Sequence, residues 1–371
     1  MNGFNEQIKW PDYGQSSISL TGSIAAFFGL DAPYGSLTEL DKWLTGNYRN
    51  VVLLVLDGLG SQSLAEALVE DSFLRRNKVR DLSAVYPSTT VAATASLRTG
   101  YPPARHGRLG WTMYFPQIKR SVDVYSNRLQ HTDEQASTFH AADTFLPLDE
   151  LAFRINACQS AQACSISVHD KVCAKDFDEL HDHILKRCVL AGRHYLYAYF
   201  NEPDSSMHVH GVHSAQAKQW IRDLDRRCES LRKAMPEESL FIITADHGLI
   251  DTRPVIVEDS PSLARMLSRP PVLEPRAAAL YVKEKDRCFF PEAFHQAFGD
   301  AFLLISTEET IRQKIFGLGQ YLPGLEQYLG DFLALAISDA ALYQKTQHCR
   351  LIGMHAGLTP AEMMVPLIAA G

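Results

Sequence analysis

Acidic and imidazole side chains follow the apolar runs of this sequence, where they could bind metal ions. The apolar run 241–245 ends at Asp246 and His247, and the run 53–56 ends at Asp57. In parallel α/β sheets, ligands bind beyond the carboxyl ends of the strands, which is where these side chains would lie. The candidate metal ligands are Asp57, Thr90, Asp204, His208, Asp246, His247 and His355. Such a set predicts a two-metal hydrolytic site.

The spacing of these residues would let pairs of side chains bind the same cation. Asp204 and His208 are four residues apart, which places both on one face of a helical turn, where they could chelate one cation. Asp246 and His247 are adjacent and can reach one ion only if the backbone turns, which the following glycine permits. Structural roles are the alternative. A carboxylate can cap a helix or close an Asx turn, and a lone histidine such as His355 can serve the fold alone.

A cluster of hydroxyl side chains, Ser88, Thr89 and Thr90, precedes a helical pattern. Free N–H groups and the helix dipole at such a position stabilise a bound phosphate. Metal coordination would activate a threonine nucleophile without a histidine base. The alternative is that one of these hydroxyls only caps the helix.

Composition and charge narrow the class of protein. The chain has 371 residues, of which 46% are hydrophobic and 21% charged, and this is typical of a folded globular protein. The net charge of -7, with no basic block, argues against binding to a nucleic-acid polymer. A small phosphorylated substrate remains compatible with it, because bound cations would reverse the charge of one pocket.

Cysteine usage and the first residues predict a cytoplasmic location. The seven cysteines include no C-x-x-C pair, which favours a reduced chain over a disulfide scaffold. Residues 1–6 lack the basic and apolar regions of a secretory leader. The segment 18–30 is too short and too polar to span a bilayer, so no membrane span is expected.

Alternating strand and helix patterns predict an α/β fold. We expect a doubly wound, mostly parallel sheet with helices on both faces, and a small α+β cap inserted into it. The predicted catalytic core comprises residues 1–253 and 331–371, and the cap comprises 254–330. A strand over 331–338 would return the chain to the core. The segment 105–144 has poor periodicity and is expected to be a long excursion near the site, so substrate selectivity should lie there and in the cap.

Six segments, taken in chain order, resemble the alkaline phosphatase superfamily, and most closely its type I phosphodiesterase/nucleotide pyrophosphatase branch. The resemblance covers roughly residues 50–360. The segments are Asp57-Gly58, Pro87-Ser88-Thr89-Thr90, Thr99-Gly100-Tyr101-Pro102 with His106-Gly107, Glu202-Pro203-Asp204-Ser205-Ser206 with His208, Asp246-His247-Gly248, and His355.

The resemblance implies a phosphoric ester hydrolase with two divalent metal ions. One ion would be held by Asp204, His208 and His355. The other would be held by Asp57, Asp246, His247 and the hydroxyl of Thr90. Zinc is the expected metal, and manganese and iron are the alternatives for these mixed ligands. Thr90 would attack phosphorus to give a phosphothreonine, which is then hydrolysed.

The sequence departs from this branch next to the nucleophile. An aromatic residue and an asparagine usually help to hold the nucleotide and its phosphate, and here those places are Val91 and Ala93. Thr94, one helical turn beyond Thr90, is a candidate for the missing polar contact. These departures weaken the prediction of nucleotide specificity and leave the metal site unaffected.

Other activities stay open at the level of sequence. A phosphomonoesterase, a phosphonate hydrolase or a phosphomutase-like enzyme of the same superfamily is the first alternative, and the run 357–366 resembles the phosphomutases. A monoester would need added positive charge, for which Arg105, His106 and Lys345 are candidates. A non-catalytic metal-binding protein is the alternative of another class.

Overall fold

Two large sheets and their helices make up the computed structural model, which describes residues 8–168 and 170–371. Residues 1–7 of the predicted core, and His169, lie outside the described residues. The strands, in chain order, are β1 (Asn50–Leu56), β2 (Lys78–Ser83), β3 (Thr112–Phe115), β4 (Arg120–Asp123), β5 (Arg128–Leu129), β6 (Gln162–Ser167), β7 (Val172–Cys173), β8 (His194–Phe200), β9 (Ser239–Thr244), β10 (Ile250–Asp251), β11 (Arg253–Ile256), β12 (Val272–Glu274), β13 (Ala277–Leu280), β14 (Phe302–Ser306), β15 (Phe332–Ala336), β16 (Ala340–Tyr343), β17 (Gly353–Met354) and β18 (Met364–Ala370). The helices are α1 (Ser17–Phe27), α2 (Thr38–Leu44), α3 (Ser61–Ala67), α4 (Phe73–Arg76), α5 (Thr90–Thr99), α6 (Pro103–His106), α7 (Ala141–Phe145), α8 (Leu151–Ala157), α9 (Phe177–Cys188), α10 (Asp204–His210), α11 (Ala215–Ala234), α12 (Pro261–Met266), α13 (Phe290–Phe298), α14 (Thr307–Arg312) and α15 (Pro360–Met363).

The main sheet has seven strands in the order β2-β18-β9-β1-β8-β6-β7. Strands β9, β1, β8, β6 and β7 are mutually parallel, whereas β18 runs antiparallel to both of its neighbours, β2 and β9. A βαβ chain produces this pattern because parallel neighbours need a crossover segment between them.

The centre of the main sheet is covered on both faces. All seven residues of β1 and all six of β9 are buried. Successive side chains of a strand point to opposite faces, so complete burial requires packed layers on both sides. Buried residues of α1, α2, α9 and α11 join β1 and β9 in one hydrophobic cluster. The predicted doubly wound, mostly parallel sheet is therefore confirmed.

The second sheet is antiparallel and has the order β14-β15-β13-β12-β3-β4-β5. Along β13 the burial alternates between two clusters. Ala277 and Ala279 face the cluster that contains Val91 of α5, and Ala278 and Leu280 face the cluster formed with α12 and α13. The second sheet is thus packed against α5 on one face and covered by helices on the other.

The second sheet contains strands from parts of the chain for which the sequence predicts no strand. Strands β3 to β5 come from the excursion 105–144, where no strand was predicted because pieces of two to four residues leave no readable period. Strands β12 to β14 come from the predicted cap. The strand predicted over 331–338 forms as β15, but it pairs with β14 and β13 in the second sheet and does not return the chain to the main sheet. The strand that does so is β18, and the division into core and cap units stays a prediction. None of the described helices has the length and hydropathy of a membrane span.

Candidate active site

Five of the predicted site residues follow three adjacent strands of the main sheet. Strand β1 pairs in parallel with β8 on one side and β9 on the other, so their carboxyl ends lie together. Asp57 directly follows β1, while Asp204 and His208 lie on α10 after β8. Asp246 and His247 follow β9 after one intervening residue. Parallel pairing therefore brings side chains separated by up to 190 positions in the sequence to one edge of the sheet.

His355 reaches the same edge because it follows one strand of a short antiparallel pair. It directly follows β17, which pairs antiparallel with β10, and β10 lies just beyond His247. The imidazole rings of His355 and His247 are stacked with their centroids 3.9 Å apart, and the ring of His208 is 5.2 Å from that of His355.

The donor atoms form two overlapping groups. Single donor atoms of Asp57, Asp246 and His247 lie within 4.8 Å of one another, and the same holds for Asp204, His247 and His355. His208 adjoins the second group through a distance of 3.2 Å between its Nε2 and Oδ2 of Asp204. The imidazole of His247 thus stands between the two groups.

Hydrogen bonds to backbone carbonyl oxygens orient two of the imidazoles. Nδ1 of His208 lies 2.6 Å from the carbonyl oxygen of Gly353, and Nδ1 of His247 lies 3.2 Å from that of Gly248. A carbonyl oxygen only accepts, so each Nδ1 carries the hydrogen and donates it. Nε2 of both rings faces the carboxylates, and in a neutral ring this nitrogen would offer its lone pair to a metal, as in metal sites with outer hydrogen-bond partners.

The electrostatics of the cluster fit divalent cations. Burial, followed by the neighbouring carboxylates of Asp246 and Asp204, raises the pKa of Asp57 well above its usual range. Burial lowers the pKa of His355 well below its usual value, which keeps its imidazole neutral. Oδ1 of Asp204, Oδ2 of Asp246 and Nδ1 of His355 are buried and have no hydrogen-bond partner in the described residues. Unsatisfied buried acceptors of this kind are costly, and cations bound between them would satisfy their lone pairs.

Thr90 is the first residue of α5, and its hydroxyl borders the first group. Oγ1 lies 3.1 Å from Nε2 of His247 and 3.4 Å from Oδ2 of Asp57. The unpaired N–H groups and the positive end of the helix dipole surround this position, which favours a bound phosphoryl group.

A tight turn after β1 holds Asp57 next to α10. Gly58 has φ +74°, and a Cβ on it would lie 2.6 Å from Cδ1 of Leu249 and 2.9 Å from Cα of Asp204. The backbone oxygen of Asp57 accepts from the amide of Asp204 at 3.0 Å. Only glycine combines the left-handed conformation with this close approach.

A cavity of about 730 Å³ opens above the donor atoms. Its floor includes Asp57, Thr90 and His355. Its walls come from the excursion, with Trp111, and from the predicted cap region, which contributes 271–275. Both regions expected to shape selectivity therefore contact the cavity.

The three basic side chains that could bind the extra charge of a phosphate monoester do not line this cavity. The guanidinium of Arg105 stacks 4.1 Å from the ring centre of Tyr101. His106 is buried, and burial lowers its pKa to about 3, so its imidazole is neutral. Lys345 pairs with Glu258 at 3.5 Å. None of the three candidates from the sequence is among the described residues that line the cavity.

Arg98 is the cation that does line the cavity. Its guanidinium is paired with Glu150 at 3.0 Å and with Asp170 at 2.7 Å. Two carboxylates neutralise it, so the described walls offer no unpaired arginine or lysine.

The two departures beside the nucleophile lie in the core. Val91 and Ala93 are buried and do not line the cavity, whereas Thr94 does. The side chain at position 94 is thus the one of the three that could contact a substrate.

Sequence reasoning missed two polar residues of the site. The hydroxyl of Tyr199 donates to the carboxylate of Asp57. Glu274 accepts from Oγ1 of Thr89 at 2.5 Å and from the amide of Trp111 at 2.7 Å, and burial raises its pKa to about 7. A signal existed for both, because Tyr199 ends an alternating run of tyrosines and Glu274 is the charged residue of a short apolar strand.

The fold is of the alkaline phosphatase type, and comparison with known proteins gives the family. The model of the type I phosphodiesterase/nucleotide pyrophosphatase family matches residues 51–297, and the chain belongs to this family. It is a phosphoric ester hydrolase of a metal-dependent family. No curated protein sequence matched the chain.

Solved structures of similar fold include murine ectonucleotide pyrophosphatase/phosphodiesterase 5, with a TM-score of 0.67 and 17% identity over 86% of this chain and 88% of that chain. The human protein gives a TM-score of 0.66 and 16% identity, over 86% of this chain and 87% of that one. An inactive variant of the murine protein in complex with AMP gives 0.65 and 18%, over 86% and 87%. At this level of identity the similarity establishes the fold, and the predicted alkaline phosphatase-like fold is confirmed.

Proposed function

We propose that the protein hydrolyses phosphodiesters with Thr90 as nucleophile and two divalent cations as cofactors. The observation that carries the proposal is the position of the Thr90 hydroxyl, 3.1 Å from Nε2 of His247 and 3.4 Å from Oδ2 of Asp57, at the start of a helix. A hydroxyl, buried carboxylates and imidazoles in one place are the parts required for metal-assisted phosphoryl transfer.

The two cations would be held by the two groups of donors. Asp57, Asp246, His247 and Thr90 form one ligand set, and Asp204, His208 and His355 form the other. Bound cations would lower the pKa of the threonine hydroxyl and neutralise charge on the phosphate. Zinc is proposed because mixed oxygen and nitrogen ligands would suit it, and manganese and iron are the alternatives.

The residues of this chain have distinct tasks in the reaction. Oγ1 of Thr90 forms a bond to phosphorus while the bond from phosphorus to the leaving alcohol oxygen breaks, and the alcohol departs with a proton. Water then cleaves the bond between phosphorus and Oγ1 and restores the hydroxyl. The hydrogen bond from Tyr199 fixes the carboxylate of Asp57 beside the nucleophile. The amides at the start of α5 face the phosphoryl oxygens.

The charge of the cavity favours a diester over a monoester. A monoester dianion needs one more positive group near its free oxygens than a diester monoanion does. Arg98 is already paired with Glu150 and Asp170, and the described lining contains no lysine. Nucleotide diesters are the first substrates to test, because a relative of the same fold was solved with AMP.

We also propose a cytoplasmic location. All seven cysteines are unpaired in the structure, as expected for a chain kept reduced. Fractionation of cells that express the tagged full-length chain tests this, and recovery outside the cytoplasmic fraction would contradict it.

The central experiment compares paired aryl phosphate diesters and monoesters. Metal-stripped protein is reconstituted separately with zinc and with manganese, and Thr90→Ala is measured beside Thr45→Ala, which changes an exposed threonine far from the site. We expect diester hydrolysis that depends on added metal, and a loss of at least about 10³-fold in kcat for Thr90→Ala alone. A Thr90→Ala protein as active as the parent would rule out the nucleophile, and a monoester preference would rule out the diesterase.

A further inference from the structure

The lining of the cavity includes a pair of hydroxyls that the reaction proposed above does not use. Thr94 lies one turn after Thr90 on α5, and Tyr125 follows β4 in the excursion. Both line the cavity together with Asp57 and Thr90. Oγ1 of Thr94 and the hydroxyl of Tyr125 are 2.9 Å apart. The wall next to the nucleophile therefore presents polar hydrogens as well as apolar surface.

Accounting for the hydrogens identifies Tyr125 as the donor of this pair. Oγ1 of Thr94 donates to the carbonyl oxygen of Thr90 at 2.7 Å, because a carbonyl oxygen can only accept. A hydroxyl has a single hydrogen, so Thr94 has none left for Tyr125. The hydrogen of the 2.9 Å contact thus belongs to the phenol of Tyr125, which donates to Thr94.

The surroundings of Tyr125 keep it in place as a protonated donor. The indole of Trp111, which is 47% exposed, contacts the ring edge-on with the centroids 5.7 Å apart. Burial raises the pKa of Tyr125 to about 12, so its hydroxyl keeps the hydrogen at neutral pH. Rotation about the phenolic C–O bond redirects that hydrogen without moving the ring.

We infer that Tyr125 is a catalytic residue that donates a hydrogen bond to a non-bridging oxygen of the phosphodiester. The inference rests on the proposed function. When Oγ1 of Thr90 bonds to phosphorus and the bond to the leaving alcohol breaks, negative charge grows on the two non-bridging oxygens. Thr94 and Tyr125 line the same cavity as Thr90 and Asp57, and Thr94 is one helical turn from Thr90. The oxygen that points toward α5 receives the phenolic hydrogen, which leaves Thr94 for the substrate.

The test uses Tyr125→Phe in the zinc-loaded full-length chain. It measures the thio effect, which is the ratio of the kcat for a phosphodiester to the kcat for the same ester with sulfur in place of one non-bridging oxygen. This change keeps the ring and its contact with Trp111 and removes one hydroxyl. Tyr195→Phe is the matched control, because it removes a buried hydroxyl that has no hydrogen-bond partner in the described residues and does not line the cavity. The substrates are an aryl alkyl phosphodiester and the two diastereomers of its phosphorothioate. Sulfur accepts hydrogen bonds poorly, so a donor to one oxygen penalises one diastereomer.

We expect Tyr125→Phe to lower kcat for the diester about 100-fold, as loss of one transition-state donor does, with KM changed less than about threefold. The thio effect of one diastereomer should shrink about tenfold or more and that of the other should stay constant. Metal content and melting temperature should equal those of Tyr195→Phe.

Three results would overturn the inference: kcat within about threefold of the parent, equal changes for both diastereomers, or loss of metal or of melting temperature in Tyr125→Phe. Thr90→Ala, assayed in parallel, separates this failure from that of the proposed function. If Thr90→Ala is inactive while Tyr125→Phe is fully active, the result supports Thr90 as the nucleophile and excludes the proposed role of Tyr125. If Thr90→Ala is active, the mechanism on which the inference rests falls with it.

Discussion

A buried ion pair between Arg276, next to strand β13 of the second sheet, and Glu362 of α15 should control how firmly His355 is held. Arg276 and Glu362 are both fully buried, with contacts of 2.6 Å from Nε to Oε1 and 2.8 Å from Nη2 to Oε2. Glu362 also accepts from the amide of Gly357 at 2.7 Å and from the hydroxyl of Thr359 at 2.6 Å. These bonds fix the loop that follows His355, so the pair positions a proposed metal ligand.

The perturbation is Glu362→Gln, which keeps the shape and removes the charge. Both carboxylate oxygens receive only N–H and O–H donors, so the new amide nitrogen meets donors wherever it lies. Arg276 is left as a buried charge without its counterion. Breaking a buried pair in this way costs about 3–5 kcal/mol of the free energy of unfolding. We expect a loss of that size, together with weaker zinc binding.

Urea unfolding of the metal-stripped protein measures the loss, and competition with a chromogenic chelator measures zinc affinity. Glu258→Gln is the control, because it breaks an exposed pair with Lys345 and should change neither quantity measurably. The double variant Arg276→Met/Glu362→Leu should be more stable than Glu362→Gln, because two apolar side chains leave no buried charge. A Glu362→Gln protein within about 1 kcal/mol of the parent would refute the reasoning.

Three further predictions follow from the same contacts. Gly58→Ala should cost about 2–5 kcal/mol of unfolding free energy and most of the bound metal, because its φ is +74° and the added Cβ meets Leu249 at 2.6 Å and Cα of Asp204 at 2.9 Å; retained metal, measured by elemental analysis, would contradict this. Burial raises the pKa of Glu274 to about 7, so the stability that its protonated form contributes is present below the usual carboxyl range and is lost as the pH rises through 7. In metal-stripped protein, Glu274→Gln should therefore gain about 2 kcal/mol relative to the parent between pH 5 and pH 8, and urea unfolding that shows no such gain would contradict the assignment. Trp111→Ala should raise KM for aryl diesters about 3- to 10-fold and leave KM for dimethyl phosphate unchanged, because a half-exposed indole offers a stacking surface only to an aromatic ester group; equal KM changes for both esters would exclude stacking.

Much of the core could be predicted because its signals are local. The run 50–56 reads as a central strand from its Val and Leu content, and the structure buries all seven residues. The helix predicted from Thr90 forms as α5. The α+β character expected for 254–330 is present, because this range contains the strands β13 and β14 and the helices α13 and α14.

The second sheet could not be predicted in the same way. Strands β3 to β5 have two to four residues, and their pairing partners are up to 161 positions away in the sequence. The sequence assigns the strand β15 to the core because a short apolar run does not indicate which sheet it joins. Long-range pairing decides that question, and it is set by the packing of the whole chain.

The sequence by itself determined the chemistry available: which carboxylates, imidazoles and hydroxyls follow the strands, and the family to which the chain belongs. Those properties depend on residue types and on short spacings along the chain, so they can be read without knowing the tertiary structure. Only the tertiary structure decided that His247 belongs to both donor groups and that Arg105, His106 and Lys345 do not line the cavity. It also decided that Tyr125 contacts Thr94 of α5. These are distances between residues far apart along the chain, and such distances are fixed only when parallel pairing and the second sheet bring the elements together.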